Sequence, residues 1–167
     1  HEYPDGLLIA MLGGTRIHSR LATNLIILLG EALRGTACQV HGPDMRVSLT
    51  PVRFVYPDLS VSCGEEAFFD TRETTLLNPT LVVEVLSPST SAYDLTTKWG
   101  FYAQIPSLQA YVVVSQESPA VDVYSRDGDG WRIVHTAEGE ARIPALDASL
   151  ALAEVYAGVA FPGPDER

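Results

Sequence analysis

Lysine is almost absent from this chain: of eleven cationic side chains ten are Arg, and Lys98 stands alone. Cysteine is scarce as well. Cys38 and Cys63 lie far apart and match no zinc or disulfide spacing, so the expected setting is a reducing cytosol. Long apolar runs are missing; stretches such as Leu25 to Leu29 and Leu81 to Val83 fall well short of the ~20 residues that span a bilayer. No signal peptide is legible in the opening residues. Positive charge is in deficit, with 11 basic against 21 acidic side chains, a net charge of −10 and a pI near 4.7. That balance excludes a general nucleic-acid coat protein or a membrane-surface binder. It leaves a nuclease open, because a metal ion reverses the local field inside an acidic pocket.

What is present is enough for one core. With 46% hydrophobic residues and a mean hydropathy of +0.10, the 167 residues exclude intrinsic disorder and fit a single domain over 1–160, with 161–167 fraying. Codon bias accounts for most of the arginine. The same bias makes the surviving lysine informative, since a plain surface cation drifts to Arg at little cost.

Turn residues and periodicity divide the chain. Pro4-Asp5-Gly6 between short apolar runs predicts a hairpin over Glu2 to Met11. Leu21, Leu25, Leu28, Leu29 and Leu33 recur at helical spacing within His18 to Arg34, with Gly35 as the stop. Short strands follow at Cys38 to Val40, Met45 to Leu49, Arg53 to Tyr56 and Leu59 to Ser62, and Gly64 to Pro79 reads as a loop or short surface helix. Thr80 to Leu86 has the composition of a buried central strand, a second helix runs from about Tyr93 to Gln104, and Ala110 to Ser115 is another buried strand. Val121 to Ser125 and Trp131 to Thr136 flank Asp127-Gly128-Asp129-Gly130 as a second hairpin; Ala141 to Ile143 adds an edge strand and Leu150 to Ala157 a closing helix. The fold class is therefore α/β, a mixed sheet flanked by helices, with hairpins at both ends.

Glu84 is the sharpest anomaly, since an unpaired carboxylate within Leu-Val-Val-Glu-Val-Leu is costly to bury. Strand alternation turns Leu81, Val83 and Val85 one way and Val82, Glu84 and Leu86 the other. A salt bridge to an arginine would explain it, and so would a metal ligand. Asp58, after Pro57 at the entrance of a strand, is more often a turn residue or cap when taken alone. Two such carboxylates from neighbouring strands plus a backbone carbonyl form a minimal hard-oxygen set for Mg²⁺ or Mn²⁺. Asp94, Lys98 and Tyr102, spaced i, i+4 and i+8, share one helix face. An exposed Asp94–Lys98 pair would be worth a few tenths of a kcal/mol. An ammonium at the end of the Glu84 strand would hold a phosphate or an attacking water.

The run Leu81-Val82-Val83-Glu84-Val85-Leu86-Ser87-Pro88-Ser89-Thr90, followed by Asp94, Lys98 and Tyr102, closely resembles the Uma-two family, named as putative restriction endonucleases. Pro57-Asp58-Leu59, His18 at the head of a leucine-rich helix, and Glu2-Tyr3-Pro4-Asp5-Gly6 resemble it too. The resemblance implies the PD-(D/E)XK nuclease superfamily and its core of helix, three strands, helix and strand. It implies Asp58 and Glu84 as metal-binding acids, the carbonyl of Val85 as a third ligand, and Mg²⁺ as cofactor with Mn²⁺ as substitute. It also implies a DNA substrate, a homodimer, and products with a 5′-phosphate and a 3′-hydroxyl. The superfamily lysine two residues after the second acid is replaced here by Leu86, and the resemblance implies that Lys98 takes its role, with Tyr102 in support. His18 and Asp94 rank behind these. The expected function is a metal-dependent DNA endonuclease in the cytoplasm with no membrane association. Its alternative is an inactive nuclease fold serving as a binding or regulatory module. A serine hydrolase has little support, as no Gly-x-Ser-x-Gly motif exists and Ser87 and Ser89 sit in a turn broken by proline.

Overall fold

A computed structural model describes residues 14–88 and 91–163, so the opening hairpin expected over Glu2 to Met11 lies outside the described residues. Helix α1 (Arg16–Ala32) starts two residues before the expected point because the Thr15 hydroxyl caps it, accepting the His18 N–H at 3.1 Å. Its stripe of Leu21, Leu25 and Leu29 is buried. Past its end, Gly35 takes a φ of 78°, the left-handed conformation that a side chain resists.

Strands β1 (Cys38–His41), β2 (Arg46–Thr50), β3 (Arg53–Val55) and β4 (Leu59–Cys63) follow the proline and glycine breaks. The stretch from residue 64 to 79 holds no helix. It lacks an apolar stripe, and its one regular piece is the two-residue strand β5 (Thr75–Leu76). Strand β6 (Leu81–Val85) is buried throughout. The second helix is compound: α2 (Ser91–Tyr93), a π-helical turn (Asp94–Lys98) and α3 (Trp99–Tyr102). Then come β7 (Ala110–Val114) and the hairpin of β8 (Val121–Asp127) and β9 (Gly130–Thr136). The closing helix expected from Leu150 is mostly not one. Residues 148–151 form strand β11 (Ala148–Ala151), paired with β10 (Glu140–Ile143), and only α4 (Leu152–Val155) is helical.

The main sheet has the order β1-β4-β6-β7-β8-β9. Its β6 and β7 run parallel and its other pairs antiparallel, so the compound helix is the crossover between the two parallel strands. Taking β1, β4 and β6 as the three strands, the helix–three strands–helix–strand order holds, with a small sheet of order β3-β2-β5 inserted. Alternation along β6 is as expected. Leu81, Val83 and Val85 pack under α1 with Leu59 and Val61, and Val82 faces the opposite side. There it joins Tyr102, Tyr111 and the Val47, Val55 and Leu76 side chains of the small sheet. Trp99 stacks on Tyr111 at 5.2 Å within this second core. Phe161 lies 5.8 Å from Tyr156, so packing reaches into the stretch expected to fray.

The cysteines correct the sequence reading. Cys38 and Cys63 stand opposite each other in the β1–β4 register and form a disulfide with an S–S distance of 2.07 Å. Strand pairing, not sequence spacing, brings them together across a separation of 25 residues. Closing a loop of that length stabilises the fold by about 3.5 kcal/mol in the chain-entropy account. The expectation of a reducing cytosol rested on unpaired thiols and loses that ground. Among the described residues, no helix is long and apolar enough to cross a membrane.

Candidate active site

The antiparallel register of β4 and β6 aligns Leu59 with Val83 and Ser60 with Val82. Asp58, just before Leu59, and Glu84, just after Val83, therefore come to the same end of this strand pair. Two acids more than twenty residues apart are thus set side by side at one end of the sheet by strand pairing alone. Asp58 Oδ2 accepts the Val85 N–H at 2.8 Å, and Oδ1 lies 2.9 Å from His18 Nε2. The imidazole comes from the first turn of α1. Its Nδ1 would be only 2.8 Å from a Cβ at residue 14, so Gly14 leaves the room the ring needs. The hydrogen bond that His18 donates to Asp58 raises the His18 pKa above 6.5 against the opposing effect of burial, with help from the charges of Asp58, Glu84 and Asp94.

Glu84 is 4% exposed and Lys98 1%. Glu84 Oε1 receives the Lys98 ammonium at 2.8 Å and the Tyr102 hydroxyl at 2.8 Å. Asp94 Oδ1 is 3.6 Å from the same ammonium. Burial pushes the Glu84 carboxyl up to about 8; Lys98 opposes this, and the neighbouring charges of Asp58 and Asp94 add to it. The exposed Asp94–Lys98 pair of the sequence reading is therefore corrected: both side chains are buried, because the second core closes over that helix face.

Asp94 and Lys98 lie in the π-helical turn. The Trp99 N–H bonds the Asp94 carbonyl five residues back, and within this turn Asp94 Oδ1 and the Lys98 ammonium lie within reach of each other. Tyr111 on β7 donates its hydroxyl to that same carbonyl at 3.3 Å. Sequence reasoning missed Tyr111, although it is the one polar-tipped residue in Ala-Tyr-Val-Val-Val and shares a sheet face with Val82. Nothing in the sequence singled out Gly14. Leu86, at the position where the resemblance implied a lysine in other nucleases, packs against the second core.

Among the described residues, no three of His, Cys, Asp and Glu gather as a ligand set. The donors at hand are the Asp58 and Glu84 carboxylates and backbone carbonyls such as that of Val85. Such hard oxygens, with water completing the shell, fit Mg²⁺ or Mn²⁺.

Over residues 1–153 the chain matches the model of the Uma2 family, described as a putative restriction endonuclease. The chain belongs to the Uma2 family. Relatives of this Uma2 protein include two Synechocystis proteins described as uncharacterized. The protein slr1290 is 37% identical over 165 residues, covering 96% of this chain and 85% of the relative. The protein sll1609 is 34% identical over 129 residues, covering 77% and 73%. The fold is that of a crystal structure described as a putative nuclease belonging to DUF820 from Anabaena variabilis. The two superpose with a TM-score of 0.73 at 16% identity, over 93% of this chain and 88% of that one. The fold is restriction-endonuclease-like.

Proposed function

We propose that this Uma2 protein is a metal-dependent endonuclease that hydrolyses phosphodiester bonds in DNA. The observation that carries the reading is the buried Lys98 ammonium 2.8 Å from Glu84, beside Asp58 on the neighbouring strand. Two acids and one lysine at a sheet end have few structural uses that a hydrophobic trio would not serve better. Asp58, Glu84 and the Val85 carbonyl would hold Mg²⁺, which supplies charge neutralisation at the phosphate and a lowered pKa for a bound water. Lys98 orients the attacking water and holds a proton near it. Tyr102 fixes the Glu84 carboxylate through its 2.8 Å hydrogen bond, and His18 fixes Asp58. Water oxygen bonds to phosphorus as the bond to the 3′ oxygen breaks, leaving a 5′-phosphate and a 3′-hydroxyl. A homodimer would present one site to each strand of a duplex.

Cleavage of plasmid DNA in Mg²⁺ or Mn²⁺, with Mn²⁺ calorimetry in parallel, tests this. Asp58→Asn is expected to lose both metal binding and cleavage. Lys98→Arg should keep metal binding and lose roughly 10²–10⁴-fold in rate, because guanidinium stays charged and cannot exchange a proton. Wild-type cleavage by Lys98→Arg would sink the catalytic assignment. A second reading, an inactive binding module, is favoured by the internal pairing of Glu84 with Lys98 and Asp58 with His18. It expects bound metal and bound DNA without a cut.

A further inference from the structure

We propose that strand β9 is the interface of a homodimer, pairing antiparallel with β9 of a second copy about a two-fold axis at Ile133 and joining the two main sheets into one. The interface stands on the free edge of the sheet and not on the nuclease reading.

β9 is the outer strand of the main sheet, and among the described residues no strand pairs with its far side. It lacks the usual protections of an exposed edge: it is seven residues long, pairs with β8 without a bulge, and holds neither proline nor lysine. The opposite edge, β1, has four residues, of which only Gln39 is exposed. β9 also carries an exposed apolar residue on each face. Ile133 is 57% exposed and Val134 51%, although the residues opposite them on β8, Tyr124 and Val123, are buried. Tyr124 belongs to one core and Val123 to the other, so both cores stop at a strand that leaves its apolar side chains uncovered. A further strand alongside covers both faces at once.

The backbone decides which strand fits. The Ser115 N–H bonds the Ala120 carbonyl and the Arg126 N–H bonds the Gln109 carbonyl, so the even-numbered residues of β8 turn their peptide groups to β7. Its odd-numbered residues then exchange hydrogen bonds with Gly130, Arg132, Val134 and Thr136. That leaves the N–H and C=O groups of Trp131, Ile133 and His135 turned outward, evenly spaced about Ile133. A second β9 running antiparallel about that residue meets these groups with its own identical set, the self-complementarity that a two-fold interface requires. All seven residues of the strand then pair: Ile133 faces its own copy, Trp131 faces the partner's His135, and Arg132 faces the partner's Val134. An axis one residue earlier sets Arg132 against the partner's Arg132, a like-charge pair, and one residue later leaves only five residues paired. Arg132 lies 2.9 Å from Asp127, so its charge is balanced within its own copy.

The test is light scattering with amide hydrogen exchange, both on the full chain over a concentration series. The mass is expected to approach twice 18.1 kDa as concentration rises. In parallel, exchange at the Trp131, Ile133 and His135 amides should slow, while the Arg132, Val134 and Thr136 amides, bonded to β8 in either state, should not respond. Ile133→Lys changes a side chain already more than half exposed, so it keeps the fold. It sets two ammonium groups against each other and should weaken dimerisation by at least about a hundredfold. A monomer at every concentration overturns the proposal. So does a dimer whose Trp131, Ile133 and His135 amides exchange as freely as in the monomer, or a dimer that Ile133→Lys leaves intact. The readouts are mass and exchange rather than cleavage, so a chain that dimerises in this way and cuts no DNA upholds the interface and sinks the nuclease reading alone.

Discussion

Glu84 was legible because a lone acid in an apolar strand needs a partner, and that partner is Lys98 rather than the arginine a general argument suggests. The pairing does not offset burial, as the carboxyl is pushed up to about 8 from an ordinary 4.5. The sign follows from proton counting. Between pH 4.5 and about 8 the folded state holds the Glu84 proton that the unfolded chain has released, so stability falls as pH rises through this window. His18 acts in the same direction. Its pKa is raised by Asp58, so its contribution is full below 6.5 and is lost as pH rises through the folded value. Urea denaturation at pH 5, 6.5 and 8 should therefore show a stability decline on the order of a few kcal/mol. Glu84→Gln should remove most of that slope and His18→Gln a smaller part. A flat wild-type profile, or a slope unchanged in Glu84→Gln, would show that the carboxyl ionises freely. The burial of Asp94 and Lys98 was not legible, since their spacing suits a surface pair equally well. What buries them is the small sheet, whose place over the helix depends on contacts distant in sequence.

The second helix was legible as an element and illegible in its winding. Its ends were marked by the turn at Ser87-Pro88 and by Pro106, but an i+5 turn has no local signature that separates it from an α-turn. The Asp94 carbonyl takes both the Trp99 N–H and the Tyr111 hydroxyl, and the second of these comes from β7. Tyr111→Phe keeps the ring stack with Trp99 and removes only the hydroxyl. It should cost about 1 kcal/mol in stability, the net worth of one buried hydrogen bond. If the hydroxyl sets the winding, cleavage should fall by more than tenfold with DNA affinity in Ca²⁺ unchanged. An unchanged cleavage rate with the same stability loss would show that the π turn stands without Tyr111 and that the hydroxyl is structural only.

Across the whole molecule, the strand order and the Cys38–Cys63 bond are facts of register, and register is where the sequence reading stopped. Alternating patterns showed most of the main-sheet strands and the two faces of β6, but not β5 or β11. They could not show that β2, β3 and β5 leave the main sheet, or that β1 and β4 lie together with their cysteines opposed. Net charge is the one global property that needs no structure, and on the nuclease reading it constrains how DNA would be held. At −10 the chain repels a polyanion at long range, and its arginines are spread along the sequence rather than gathered in a stripe. On the nuclease reading, attraction is then local, through a divalent ion between acid and phosphate. DNA binding should be weak in EDTA and should strengthen in Ca²⁺, an ion that bridges carboxylate and phosphate without the tight octahedral shell of Mg²⁺. In Ca²⁺ the dependence of log affinity on log salt should be shallow, with a slope of roughly −1 to −3, because each direct phosphate contact adds about −0.9 on a duplex. Fluorescence anisotropy over a series of salt concentrations measures both. Asp58→Asn should lose the Ca²⁺ enhancement and leave the residual EDTA binding as it was, or slightly tighter, since one repelling charge is gone. Tight binding in EDTA with a steep slope would mean that folding assembles a basic surface from scattered arginines, and that phosphate contacts, not the bridged ion, hold the strand.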